Sequence, residues 1–367
     1  MNVEKVTLKQ IAELAGVSLT TVHRVLNGKG GTSKAVEQNI LRIAKEQGYA
    51  INMAASNLRK QPLQIALVFP RMDHSFHYFV NRILDGYLGF RKEVSQLNIV
   101  FQEFYFGPST NPDESYVDEE NILKKIYREQ PVHYDGVVVY GLAISPRSEA
   151  LLNRIVGGGT KVVVLERCPE NLFDVCSVEV NDTIAGNLAG DIMTQSLREQ
   201  GTVVIIGQEL PQGDPNGEAC AAYIQAERPD IRVVQVSLKL KDKQSTEIAR
   251  ILRSYPDIIG AYATSARHTN SLLKALDQTH IQLQSCIGSE LFEESYNALH
   301  SRKLNAVIDK RPEHIGYKAL QLMIGALVRK EELPAIHRVT PRIILRANSD
   351  KYYVEKENLY GKTRYSE

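Results

Sequence analysis

Residues 6–27 read VTLKQIAELAGVSLTTVHRVLN, two segments with helical spacing of apolar side chains on either side of the turn AGVS. Gly16 can adopt a positive φ and end the first helix, and Val17 fills the corner of the turn. Ser18 is placed to cap the second helix. The stretch therefore predicts two short helices joined by a tight turn, a helix-turn-helix unit. The residues expected to form the two buried faces are Ile11, Leu14, Ala15, Val22, Val25 and Leu26.

A third helix is predicted further along, where Ile40, Leu41, Ile43 and Ala44 precede Gly48. In a helix-turn-helix unit the second helix enters the major groove of DNA, and its first side chains reach the base edges. Arg24 suits a bidentate contact with guanine, and Leu19 suits a thymine methyl group. The alternative is a helical hairpin whose Arg24 is only solvated. The predicted base-reading residues are Leu19, Thr20 and Arg24, and the predicted phosphate contacts include Ser18, Thr21, Asn27 and Ser33.

Positive charge is concentrated at the start of the chain. Residues 1–62 contain nine lysines or arginines and four glutamates, a balance of +5, whereas the whole chain carries +1, which leaves −4 for the remainder. A basic head on a mildly acidic body is typical of a polyanion-binding module fused to a second domain. Chance clustering in a surface helix pair is the alternative.

Length and composition narrow the class of protein. The chain has 367 residues, 43% hydrophobic and 24% charged, which fits two or three globular domains. We find no apolar leader and no run of about 20 apolar residues, and we expect a cytoplasmic location. The four cysteines are scattered, so buried thiols are favoured over disulfides or zinc. No catalytic motif stands out, Gly157–Gly159 reads as a helix stop, and neither a cofactor nor a metal is expected.

The head resembles the DNA-binding head of the lactose-repressor (LacI/GalR) family. The resemblance is carried by the AGVS turn, by TTVHRVLN in the second helix, by GYAIN at 48–52 and by AASNLRK at 54–60. It implies that Leu19, Thr20 and Arg24 read bases. His23 stands where the family usually has a phosphate-binding serine, so a phosphate contact is assigned to it. Ile51 replaces a common proline.

The segment Asn52–Lys60, NMAASNLRK, has too little apolar surface to be a stable helix by itself. In the LacI family the equivalent segment folds on DNA, pairs with its twin and drives a leucine into the minor groove. The resemblance therefore implies that Leu58 is this wedge, with Ala55 beside it. The alternative is that Leu58 packs on the body.

From Leu63 onward, short β-rich runs alternate with amphipathic helices. Near-continuous apolar runs indicate strands of parallel sheets that are buried on both faces. There are too many strands for one compact sheet, so two doubly wound α/β subdomains are predicted behind the all-α head. This resembles the type I periplasmic-binding-protein fold of LacI-family bodies. The runs are QIALVFP, NIVFQEFYF, DGVVVYG, KVVVLER, TVVIIG, IRVVQVSL, DIIGAYATS, SCIGSE and NAVIDK.

Domain boundaries follow from these patterns. The prediction assigns 1–51 to the helix-turn-helix domain, 52–62 to the hinge helix, 63–348 to the effector-binding and dimerisation domain, and 349–367 to a polar tail. The N-subdomain is predicted at 63–165 and 291–328 and the C-subdomain at 166–290 and 329–348. The chain would then cross near 166, 290 and 330, and the helix at 312–330 returns to the first subdomain.

Ligands of open parallel sheets bind beyond the carboxyl ends of the strands. Polar and aromatic residues at those ends suit a sugar, because charged groups bind hydroxyls and a flat ring packs on the sugar. Each residue taken singly could be a loop residue or helix cap. The family's pocket arginine is replaced by Asn216, and Glu166-Arg167 matches its frequent Asp-Arg pair. The predicted effector residues are Asp73, Phe76, Tyr78, Arg167, Gln208, Asn216, Ser265, Glu290, Asp309 and Lys310.

The sequence thus predicts a dimeric, sugar-responsive DNA-binding repressor that acts on a pseudo-palindromic operator. Two alternatives come from other classes: a solute-binding protein of a transport system, which the body alone would permit, and a carbohydrate-modifying enzyme that uses the cleft carboxylates.

Overall fold

The computed structural model describes residues 7–26, 32–47, 61–71, 78–108, 116–128, 134–141, 144–209, 213–238 and 244–353. Residues 52–60 of the predicted hinge helix and residues 354–367 of the predicted tail lie outside these ranges. The predicted site residues outside them are Asn27, Ala55, Leu58, Asp73 and Phe76.

The head consists of α1 (Leu8–Ala15), α2 (Leu19–Leu26) and α3 (Lys34–Glu46). Gly16 ends α1 with a φ of 65°, in the left-handed region that glycine adopts without strain, as predicted. The Ser18 hydroxyl accepts a hydrogen bond from the Thr21 amide at 3.1 Å, so the predicted cap of α2 is also confirmed.

One small core joins these three helices. The predicted inward residues of α2 are confirmed, but Leu14 is 57% exposed and Leu41 is 44% exposed, so these two assignments were wrong. In α1 the small Ala12 takes the inward position beside Ile11, which lets the helices come close. The buried residues of the head core are Ile11, Ala12, Val22, Val25, Leu26, Ile40, Ile43 and Ala44.

The body contains two separate sheets, as predicted. In the first sheet every pairing is parallel except that between β2 and β3. The strands in spatial order are β12 (Ile336–Val339), β6 (Cys176–Val180), β5 (Lys161–Leu165), β4 (Gly136–Tyr140), β1 (Leu63–Pro70), β2 (Ile99–Pro108) and β3 (Tyr116–Val117).

The second sheet is parallel apart from its edge strand β13, which runs antiparallel to β11. Its strands in spatial order are β13 (Arg342–Ile344), β11 (Ala306–Asp309), β10 (Ser285–Ser289), β9 (Ile258–Ala263), β7 (Thr202–Gln208) and β8 (Arg232–Leu238).

Helices cover both faces of each sheet, which explains the continuous apolar runs of the central strands. On one face of the first sheet pack α4 (Tyr78–Glu93) and α12 (Pro312–Arg329). On its other face pack α5 (Glu119–Arg128) and α6 (Pro146–Gly157). The second lies between α7 (Asp182–Ser196) with α8 (Pro215–Glu227) and a layer of α9 (Ser245–Arg253), α10 (Ala266–Thr279) and α11 (Glu293–His300). A 3-10 helix, Arg346–Lys351, follows β13. Among the described residues, each helix is either too short or too polar to cross a bilayer.

The chain crosses between the sheets at residue 181, at 310–311 and at 340–341. The predicted crossings near 166, 290 and 330, and the subdomain boundaries built on them, were therefore wrong. The return of the 312–330 helix to the first subdomain is confirmed, because α12 packs on that sheet beside α4. Two of the errors arise because β6 (CSVEV) and β12 (IHRV) carry polar residues and were not predicted as strands, although both belong to the first sheet. The third arises because β11, which was predicted as a strand, was assigned to the first subdomain but belongs to the second sheet.

Candidate functional site

One face of α2 is exposed to solvent. Leu19 is 50% exposed, and Thr20, His23 and Arg24 are also exposed, while Val22 and the other core residues of α2 are buried. At about 100° per residue, positions 19, 20, 23 and 24 share one side of the helix. Arg24 forms no ion pair with any described residue. This surface, which we call the reading face, therefore presents an unpaired guanidinium, a hydroxyl, an imidazole and an apolar side chain.

The predicted phosphate contacts flank the reading face at helix starts. Ser18 and Thr21 share a hydroxyl–hydroxyl hydrogen bond of 2.8 Å at the start of α2. The Ser33 hydroxyl accepts from the Val36 amide at 3.4 Å and so begins α3. Helix starts attract anions because their first amide groups point outward and carry partial positive charge. Viewed along the axis of α2, His23 lies between Leu19 and Thr20, so it is part of the reading face itself.

A cavity of about 470 Å³ lies where the carboxyl ends of the two sheets meet. Four of the predicted effector residues line it: Arg167, Gln208, Ser265 and Lys310. The other residues that line it are Glu166, Glu179, Val180, Asn181, Asp182, Thr183, Asp214, Pro215, Thr264 and Arg338.

Two predicted carboxyl groups do not line this cavity. Glu290 is fully buried, and its Oε1 accepts from the Lys310 amide at 3.4 Å. Burial, with the neighbouring Asp309, holds the pKa of Glu290 well above its ordinary value. Asp309 accepts from Arg342 Nε at 2.6 Å and from the Arg311 amide at 3.1 Å. Both carboxyl groups therefore bind backbone amides of the second connection, at residues 310 and 311, and do not line the cavity.

Asn216 and Tyr78 also have other partners. Asn216 is buried, where its Oδ1 accepts from the Tyr262 hydroxyl at 2.9 Å and its Nδ2 donates to the Thr264 carbonyl at 3.5 Å. The Tyr78 hydroxyl donates to the Leu291 carbonyl at 2.7 Å, and its ring lies 5.7 Å from that of Phe292. Tyr78 thus connects α4 of the first subdomain to the second.

Asp214 is a cavity residue that the sequence interpretation missed. It caps α8, because its Oδ1 accepts from the amides of Asn216 and Gly217 at 3.2 and 3.3 Å. Its Oδ2 accepts from the Thr264 hydroxyl at 2.6 Å. The signal was present in the sequence, since an aspartate before a proline is a common start of a helix.

The cavity floor includes the connections between the subdomains. The Asn181 amide donates to the Val339 carbonyl at 3.0 Å, which joins the first connection to the third. Lys310 Nζ lies 3.7 Å from Asp182 Oδ1, which joins the second connection to the first. Burial lowers the pKa of Lys310, but Asp182 and other carboxylates outweigh it, so the net shift is upward. A molecule in the cavity would therefore contact two of the segments that connect the subdomains.

Glu166 occupies a strained position on the cavity wall. Its φ is 68°, and its backbone is held by a hydrogen bond from its amide to the Val178 carbonyl at 2.9 Å. Its Oε1 is buried without a hydrogen-bond partner among the described residues. Burial, followed by the charge of Asp182, raises the pKa of Glu166 to about 8. A non-glycine residue held in this conformation with an unsatisfied buried oxygen is a feature expected of a binding site.

Comparison with family models divides the chain at the same place as the fold. Residues 65–331 match the model described as a periplasmic binding protein domain, and residues 7–52 match the model of bacterial regulatory proteins of the lacI family.

Curated relatives and solved structures agree with this division. The ribitol operon repressor of Klebsiella aerogenes is 42% identical over 77 residues, 20% of this chain and 28% of that protein. The match therefore spans less than a third of that relative's length. The ribose operon repressor of Halalkalibacterium halodurans is 26% identical over 71% of both chains. Among solved structures, the glucose-galactose binding protein GanP of Geobacillus stearothermophilus has a TM-score of 0.62 at 22% identity, covering 79% of this chain and 99% of that one; this likeness concerns the fold.

Proposed function

The chain belongs to the LacI family of bacterial regulatory proteins, and from this membership we propose that it is a sequence-specific DNA-binding repressor controlled by a small molecule in the cleft. The observation that carries the proposal is the reading face: a well-packed head presents Leu19, Thr20 and Arg24 to solvent, and Arg24 has no acidic partner among the described residues. An unpaired arginine on the second helix of such a unit suits a guanine edge.

We further propose how the head positions itself on DNA. Leu19, Thr20 and Arg24 read bases in the major groove, while polar groups at the helix starts bind the backbone. One head covers one half-site, so a homodimer on a pseudo-palindromic operator is the expected complex. Such a regulator acts in the cytoplasm, at the nucleoid. The proposed phosphate contacts are Ser18, Thr21, His23, Asn27 and Ser33.

The linker prediction concerns Leu58 and Ala55, which lie outside the described residues. Leu58→Ala is expected to weaken operator binding several-fold or more, because an apolar wedge in the minor groove would be lost. Thermal unfolding of the body should not change. Leu41→Ala is the matched control, since it removes a leucine that is 44% exposed on α3. Equal operator affinity of the Leu58 variant and the unmodified protein would remove the wedge role.

We propose that the effector is a sugar or sugar derivative. The cavity wall offers carboxyl, amide, hydroxyl and guanidinium groups from both subdomains, among them Arg167, Gln208, Ser265 and Lys310. These groups suit a ligand with many hydroxyls. Relatives named as ribitol, ribose and sucrose operon repressors favour the same class. Asp73 and Phe76 stay proposals from the sequence, and Tyr78, Asn216, Glu290 and Asp309 are proposed to act from outside the cavity wall.

The decisive experiment selects duplexes from random DNA with the full-length protein at a stated salt concentration, with and without candidate sugars. We expect enrichment of a two-fold symmetric sequence and a shift in affinity with one sugar class. No preference over competitor DNA would overturn the repressor proposal and favour a solute-binding protein. Turnover of a bound sugar would favour a carbohydrate-modifying enzyme.

A further inference from the structure

The cavity wall has more acidic than basic groups. Its carboxyl groups are Glu166, Glu179, Asp182 and Asp214, and its basic groups are Arg167, Lys310 and Arg338. Buried charges are stable only when they are paired or well hydrogen-bonded. The described wall therefore has one carboxyl group more than it has basic groups, and a proton or a further positive charge would balance it.

Three of the four carboxyl groups have compensation within the chain. Asp214 accepts from two amides and one hydroxyl at the start of α8. Asp182 is the first residue of α7 and lies 3.7 Å from Lys310 Nζ. Glu179 accepts from the Ser177 hydroxyl and is the register partner of Arg338 on the neighbouring strand.

Glu166 is the exception. Its Oε1 is buried and has no hydrogen-bond partner among the described residues, although the residue lines the cavity. The negative charges of Asp182 and Glu179 raise the pKa of Glu166, and the positive charges of Lys310 and Arg167 offset this rise only in part. No ion pair joins Glu166 to a described basic residue. An unsatisfied acceptor in an acidic wall suits a donor that carries positive charge.

We propose that the effector of this cleft carries a protonated amino group, as an amino sugar does, and that the carboxyl group of Glu166 binds this ammonium. The inference rests on the proposed function, because it names the effector class of the same cleft. A neutral hydroxyl would leave the carboxyl proton of Glu166 in place, whereas an ammonium group can replace that proton. An acidic sugar, which Arg167 and Arg338 could attract, is the competing ligand class that the experiment distinguishes.

The binding step has a proton signature. In the free protein Glu166 has a pKa of about 8 and is mostly protonated at pH 7. An ammonium beside it favours the carboxylate, so the carboxyl proton leaves to a buffer base when the ligand binds. About one proton should be released for each amine bound. A neutral sugar in the same place should release almost none.

The experiment uses calorimetry on the full-length protein at pH 7, in phosphate and in Tris, whose ionisation enthalpies differ. The probes are D-glucosamine, D-galactosamine and D-mannosamine, each beside its N-acetyl derivative and its parent hexose, with D-glucuronate and D-glucose 6-phosphate as acidic probes. We expect at least one amine to bind about 10- to 100-fold more tightly than its N-acetyl derivative and its parent hexose. This difference is in the range of a charge-assisted hydrogen bond. Its apparent binding enthalpy should differ between the two buffers by about the difference between their ionisation enthalpies. That difference corresponds to the release of about one proton.

Variants separate this role from a structural one. Glu166→Gln should remove the proton release and bring the Kd of the amine to that of its parent hexose, measured with the same variant. Glu170→Gln, an exposed glutamate four residues further on, should behave as the unmodified protein. Without ligand, the free energy of unfolding of the Glu166→Gln protein at pH 8 should be no lower than that of the unmodified protein. A carboxyl group whose pKa is raised by folding destabilises the folded protein as pH rises from its unfolded to its folded pKa.

The outcomes also distinguish this inference from the proposed function. If no amine binds better than its parent hexose, or if Glu166→Gln keeps the preference, the amine inference is overturned. Tighter binding of an acidic probe overturns it in favour of an anionic effector. In each of these cases operator selection tests the repressor proposal independently.

Discussion

Arg24→Ala is expected to relax operator selectivity at one base pair in each half-site. A bidentate arginine–guanine contact contributes about 1–3 kcal/mol of discrimination. A dimer makes the contact twice, so the loss is about 2–6 kcal/mol, or about 30-fold to 20,000-fold in Kd for the preferred operator. Arg24 is exposed, so the melting temperature of the protein should not change. Selection from random duplexes before and after the substitution measures the effect at each position.

Arg42→Ala is the matched control for loss of one positive charge from the head. Arg42 lies on α3, where it is exposed and pairs with Glu46 at 2.9 Å. Its removal should weaken binding slightly and to the same extent for all sequences, with a small change in salt dependence. If Arg24→Ala behaves in this way too, Arg24 is a phosphate contact and the base-reading assignment is wrong.

The head could be predicted closely because its signals are local. A glycine at the helix end and a serine at the next helix start define the turn within three residues, and both have the predicted roles. Burial was less predictable. Leu14 fits the helical spacing from Ile11, yet it is exposed. Periodicity does not show on which side of Ile11 the buried face lies, and Ala12, nearly opposite Leu14 around the helix, is buried instead.

The subdomain boundaries could not be predicted in the same way. A strand is recognised in sequence when both faces are apolar, but β6 contains Ser177 and Glu179, and β12 contains His337 and Arg338. These two strands pair at one edge of the first sheet, where one face meets the cleft. Two of the polar residues that hid the strands, Glu179 and Arg338, also line the cavity.

The cleft residues show what the strand-end rule leaves undetermined. The rule gives the position along the chain, but not which way a side chain points. Gln208 and Lys310 point into the cavity, whereas Glu290 follows its strand equally closely and is buried away from it. Only three-dimensional packing makes that distinction. It also brings Glu166 and Asp182 together from different strand ends.

A second large effect is expected where α4 crosses α12. The helices meet at two glycines: a Cβ atom at Gly86 would overlap the Glu313 carbonyl oxygen, and one at Gly316 would overlap the Ile83 carbonyl oxygen. Backbone atoms on both sides cannot move as a side chain can. Gly316→Ala must therefore separate the helices and open the core of the first subdomain around Ile315 and Met323.

Overpacking of this kind costs about 1–3 kcal/mol, and the backbone contact suggests the upper end. Gly316→Ala should thus lower the melting temperature by about 6–12 °C, at 2–4 °C per kcal/mol for a domain of this size. Gly89→Ala tests the reason, because Gly89 lies in the same helix pair with nothing within 4 Å of its Cβ position. There the alanine should stabilise by about 0.5–1 kcal/mol through helix propensity. Since the two substitutions are chemically identical, opposite signs can arise only from the close helix crossing, and equal melting temperatures would disprove it.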